Sequence, residues 1–207
     1  MTRYSGVLIG TGFCLAFVLL NTGAPLHPTV ALVLRSLAIV AALVICVLAI
    51  ASGRRMSGAV GRAPDHGPDG SADRVWGGTE TEAQGPAMRF GPFYFVVVAL
   101  EIVLIVGGIT LLLHFDWPMQ ANVAWIAFAV GLHFFPLAWY WGMRDIYLAA
   151  VFMTVLGAIG LVMTAVGQPD WVPFVSGVVN GAVGLIGLLA SMASAFRSAA
   201  PEPVTRA

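Results

Sequence analysis

The 207-residue sequence predicts an all-α protein: a six-helix transmembrane bundle, N-in and C-in, with a long flexible cytoplasmic loop between helices 2 and 3. Three observations carry this. The chain is 59% hydrophobic and 10% charged, with a mean hydropathy of +0.90, whereas soluble domains carry about 25% charged residues. Six apolar runs approach the roughly 20 residues that a helix needs to cross hydrocarbon. Nine of the ten arginines also fall on one side of those runs, the positive-inside pattern of a plasma-membrane protein.

The predicted spans are 4–21, 29–51, 92–114, 121–141, 146–166 and 172–196. Domain organisation follows: helices one and two in 1–51, the loop in 52–91, helices three to six in 92–196 and a cytoplasmic tail in 197–207. Helix one carries Gly6 and Gly10 as a GxxxG contact face. Thr22-Gly23-Ala24 is a poor cleavage site, so this helix is read as retained rather than as a signal peptide.

Helix two opens after His27-Pro28. At helical spacing Ala31, Arg35, Ala38, Ala42, Cys46 and Ala49 share one face, and small residues there allow close helix packing. Arg35 either points inward with that face or snorkels to nearby headgroups. The loop then changes character: five arginines (Arg54, Arg55, Arg62, Arg74, Arg89) balance five acids, with scarcely a large apolar side chain. Such a segment cannot offset its own ordering entropy. His66 is read as solvated, and Trp76 as the one residue able to dock.

With that loop inside, Arg3, Arg144, Arg197 and Arg206 also fall inside, and the three opposite turns hold no arginine. Trp117 and Trp171 mark the outer interface; Trp139, Tyr140, Trp141 and Tyr147 mark the inner one. Helix five carries Thr154, Gly157, Gly160 and Thr164. Helix six carries Ser176, Gly177, Asn180, Gly181, Gly184, Gly187 and Ser191. That stripe is read as tight helix packing or a homo-oligomer contact, with a pore wall as the other reading.

Two titratable residues interrupt the apolar runs, Glu101 in helix three and His133 in helix four. Groups of this kind are costly in hydrocarbon, so they face a bundle interior and mark function. Helices three and four are joined by a short turn and must be antiparallel neighbours. Glu101 lies about ten residues from one end and His133 about twelve from the other, so at 1.5 Å per residue both come near the midplane. An ionised carboxylate alone there is untenable; Glu101 is protonated, or paired with His133 or Arg35. Pro136 removes one backbone donor beside His133 and is read as a helix break.

Several classes are excluded. All ten basic residues are Arg, so no lysine Schiff base exists, and a zero net charge gives no case for nucleic acid. Cys14 and Cys46 form no CxxC pair and are read as core residues. No HExxH, GxSxG or phosphate-loop motif is present, so metalloprotease, serine hydrolase and P-loop readings have nothing to stand on and no metal or cofactor is expected. An enzyme acting on lipid is the least favoured reading, since no nucleophile–base pair is evident. His27, His114 and Asp116 at the outer face are read as ordinary interfacial residues.

The stretch Val130-Gly131-Leu132-His133-Phe134-Phe135-Pro136-Leu137-Ala138, with Arg89-Phe90-Gly91 and Glu101 upstream, resembles a group of small polytopic bacterial membrane proteins with a GLHFxPLA motif. The likeness covers about residues 89–166. It implies a membrane location and supplies no activity.

The functional expectation is a small proton-linked transporter or channel-like protein. Glu101, His133 and Arg35 would form its proton relay or polar substrate site, and its partners would be the bilayer and a small solute or proton. The alternative is a non-catalytic membrane scaffold or partner subunit whose buried polar residues fix helix packing.

Overall fold

A computed structural model describes residues 5–60 and 91–198, with side chains placed from Gly6 to Ser52 and from Gly91 to Arg197. Among the described residues the regular structure is entirely helical. Six α-helices follow in order: α1 (Ser5–Asn21), α2 (Pro28–Val60), α3 (Pro92–His114), α4 (Ala121–Trp141), α5 (Arg144–Ala165) and α6 (Asn180–Ser198). A 3₁₀ turn (Pro169–Trp171) and a π-helical segment (Pro173–Val179) lead into α6. Five spans are long and apolar enough to cross a bilayer: Pro28–Ser52, Pro92–His114, Ala121–Trp141, Arg144–Ala165 and Pro169–Arg197. The chain is therefore an integral membrane protein. With 17 residues, α1 measures about 25 Å, at the short end of what spans.

The helix ends are set by local chemistry. His27 stands before α2, its ring Nδ1 accepting the Thr29 N–H (3.3 Å), and Pro28 follows at the first helical position, where its missing N–H costs nothing. Pro92 likewise begins α3, after an extended Gly91 that offers no side-chain cap. At the other ends, α3, α4 and α5 close with paired backbone bonds that run past the last turn. For α5 these are Gly167 N–H to Thr164 O (3.1 Å) and Gln168 N–H to Met163 O (2.8 Å). That motif needs one left-handed residue, supplied by Gly142 (φ 67°) after α4 and Gly167 (φ 79°) after α5. After α3 it falls to Asp116 (φ 54°), which gives this exposed acid a structural role.

One boundary differs from the sequence expectation. The second helix runs to Val60, nine residues past 51, because the stretch beyond 51 holds no proline and extending an existing helix is cheap. The expectation of a flexible loop, with its His66 and Trp76, otherwise falls on residues 61–90, outside the described residues, as does most of the tail expected from 197.

Two groups of helices form the body. α1, α2 and α6 pack together around Val18, Ala38, Ala42, Ile45, Ala49, Val178, Leu185 and Met192. The small face expected of α2 is the packed one, with Ala31, Ala38, Ala42 and Ala49 all buried. In the second group α4 is central, packed tightly against α5 on one side and against α3 on the other. α4 and α5 approach closely because Gly157 admits Phe128 and Gly131 admits Thr154 where any side chain would collide. The π-helical segment joins the groups, packing on α1, α4 and α5. The helix-six glycines serve this packing: Gly177 receives Asn21, and Gly181 and Gly184 receive Cys14 and its neighbours, all from α1. Only Gly187 of that stripe lies open.

Candidate functional site

The seam between α3 and α4 can be followed residue by residue. At the end bearing Tyr140 and Trp141, Phe93 packs on Tyr140 (ring centroids 4.6 Å apart) and Tyr94 stacks on Trp141 (6.2 Å). Val97, Leu137 and Trp141 form a small buried core beneath them. One turn further along come Glu101 and His133. Beyond them Trp125 of α4 donates its indole N–H to the Leu104 carbonyl (3.0 Å), its ring lying over Gly108, where no side chain could fit. The helices are thus clamped on both sides of the polar pair.

His133 Nδ1 and Glu101 Oε1 are 3.1 Å apart. Glu101 is nine residues beyond Pro92 and His133 eight residues before Trp141, about 13 and 12 Å along their helices. The matched depth expected from the sequence therefore brings the two side chains into contact. The contact is short without being aligned as a hydrogen bond, and among the described residues Nδ1 has no partner of proper geometry. Neither side chain is sealed: His133 keeps 12% and Glu101 15% of its surface. The pair can hold one shared proton in two ways. A protonated carboxyl can donate to a neutral imidazole, or an imidazolium can donate to a carboxylate.

The surroundings differ from the expected bundle interior. Among the described residues α3 packs chiefly on α4, so the pair sits in the seam between these two helices at the edge of the fold. Beside it, Leu100, Ile102, Val103 and Leu104 are exposed, as helix faces turned to lipid are. The cause is the order of the helices, which places α2 and α3 in different groups.

For the same reason Arg35 is not part of the pair. Among the described residues α2 packs chiefly on α1 and α6. The Arg35 guanidinium instead reaches the end of α1, with Nε donating to the Thr22 hydroxyl (2.8 Å) and Nη2 to the Thr22 carbonyl. A cation there answers the free carbonyls at a helix C-terminus. The residue as a whole is exposed, which agrees with the snorkelling alternative and removes Arg35 as counter-ion to Glu101.

Pro136 also departs from expectation. α4 runs unbroken from Ala121 to Trp141 with Pro136 inside it. The proline has no N–H for the Leu132 carbonyl, but packing on both flanks holds the helix together, as neighbours do in membranes. Among the described residues no three histidine, cysteine or acidic side chains gather as a metal site.

Two features escaped the sequence reading. Trp125 is an apolar residue in an apolar run; its only signal is a glycine at the same depth on the neighbouring helix. The π-helical turns have no signal beyond Pro173 near their start. Compared with protein-family models, curated proteins and solved structures, the chain gives no match.

Proposed function

We propose that this chain is a small proton-linked transporter or channel-like protein of a bacterial plasma membrane, with Glu101 and His133 as its proton relay. The observation that supports the reading is a carboxyl and an imidazole 3.1 Å apart inside helices that otherwise carry apolar side chains at that depth. Such a pair is costly to keep in a membrane and is retained where it does work. The contact is short enough for a proton to pass between the groups. The relay is a two-residue device on α3 and α4, with Arg35 left out. In this reading both termini and the long loop are cytoplasmic, as the arginine distribution favours.

The test is proton flux in proteoliposomes holding a pH-sensitive dye. Wild type dissipates an imposed pH gradient, and Glu101→Gln does not, while inserting normally.

One observation favours the scaffold reading. The clamps around the pair, Trp125 against Gly108 and Tyr94 against Trp141, set the register of α3 on α4, and a polar contact between them would lock it. In that case the protein carries no flux under any gradient, and removing the pair loosens α3 without further consequence.

A further inference from the structure

A second polar group lies outside the α3–α4 seam, where the π-helical segment gives way to α6. Asn180 is 4% exposed. Its Nδ2 donates to the Ser176 carbonyl (3.3 Å), which fixes the orientation of the amide, since a flipped amide would set two oxygens face to face. Oδ1 therefore points away from that carbonyl, and no donor among the described residues reaches it. A buried acceptor left bare costs about 1–3 kcal/mol. Ser176 is fully buried and sits about one turn earlier on the same face. Its hydroxyl spends its proton on the Leu156 carbonyl (2.8 Å), which leaves its oxygen lone pairs to accept. Around Ser176 stand Gly160 and Ala124, residues that contribute no polar atom of their own side chains.

We propose that the π-helical segment holds a water molecule that donates one O–H to Asn180 Oδ1 and the other to Ser176 Oγ. Both open groups are neutral acceptors, so the ligand they call for is a small neutral molecule with two donors. Two polar partners meet the minimum that keeps a water in a protein interior, and two oxygens are too few for a hard cation, which takes six or more. Polar side chains also lead to the segment from the nearest membrane surface. Arg35 holds Thr22, and its neighbour Asn21 lies directly on Gly177. π-helical turns inside α-helices recur at sites of this kind, and irregular backbone at membrane depth is tolerated where protein or water satisfies it. The site shares no side chain with the proton relay, although α4 packs on both α3 and the π-helical segment.

The experiment is a crystal structure of the full chain from a lipidic phase, at a resolution that shows ordered waters, for wild type and Asn180→Leu. The expected result is a density peak about 2.7–3.0 Å from both Asn180 Oδ1 and Ser176 Oγ in wild type, lost in Asn180→Leu. An empty site in wild type, or a protein donor turned onto Oδ1, overturns the proposal. Should the leucine variant fail to fold, radiolytic labelling of wild type in ¹⁸O-water decides. Slowly exchanging ¹⁸O incorporation in the peptide spanning 173–183 is expected, and its absence contradicts a resident water.

Discussion

Trp125 of α4 gives its indole N–H to the Leu104 carbonyl of α3, and its ring occupies the space that a side chain at position 108 would need. Among the described residues α3 docks chiefly on α4, and this contact and the aromatic clamp at the other end hold it there. Lipid offers no hydrophobic drive between helices, and close fit has to supply the attraction.

Adjacent glycines separate fit from flexibility. Gly108→Ala places a methyl inside the Trp125 ring and is expected to destabilise the protein by about 1–3 kcal/mol. Gly107→Ala meets nothing within 4 Å and is expected to be neutral or stabilising by up to ~1 kcal/mol. Thermal melts of both variants in detergent make the comparison. Equal effects at the two positions would dissolve the account of the seam.

Arg35→Gln removes a charged donor from the end of α1 while leaving the α3–α4 seam untouched. The expected cost is about 1 kcal/mol, read as a lower melting temperature, with proton flux unchanged. Lost flux at normal stability would return Arg35 to the relay.

These two residues show where the sequence was legible. Apolar runs of membrane length gave the helices, to within a few residues except at the end of α2 and the start of α6, and a short turn made α3 and α4 antiparallel, so depth alone brought Glu101 to His133. The packed face of α2 followed from its alanines. What periodicity could not say is which helix covers that face. For α2 it is α1 and α6, and so Arg35, on a correctly read helix, reaches Thr22. Trp125 and the turns at 173–179 were hidden for a related reason, since each is defined by a neighbour or a backbone bond rather than by a residue type.

The orientation rests on arginine placement alone and is open to a direct check. With Cys14 and Cys46 replaced, Gly70→Cys and Pro118→Cys should react with an impermeant maleimide from opposite faces of sealed vesicles. Reaction from the same face would overturn the assignment.

A lipid-soluble carbodiimide attacks protonated carboxyls and reaches them through hydrocarbon. Glu101 keeps 15% of its surface beside lipid-facing residues, so it, rather than Asp145 or Asp170 at the span ends, is expected to be modified, as read by peptide mass spectrometry. Labelling confined to acids outside the spans would mean that the seam is closed or its carboxyl ionised.

The most direct test of the relay is proton flux through purified protein in liposomes, compared between wild type and Glu101→Gln. Glutamine matches the size of glutamate and can still donate a hydrogen bond to His133 Nδ1, so the seam keeps its contact and loses only its exchangeable proton. The account predicts a dissipated pH gradient for wild type and none for Glu101→Gln, with equal insertion and melting temperature. Flux that survives the substitution, or a wild type that passes no protons under any gradient or solute, contradicts it and leaves the pair as a structural lock between α3 and α4.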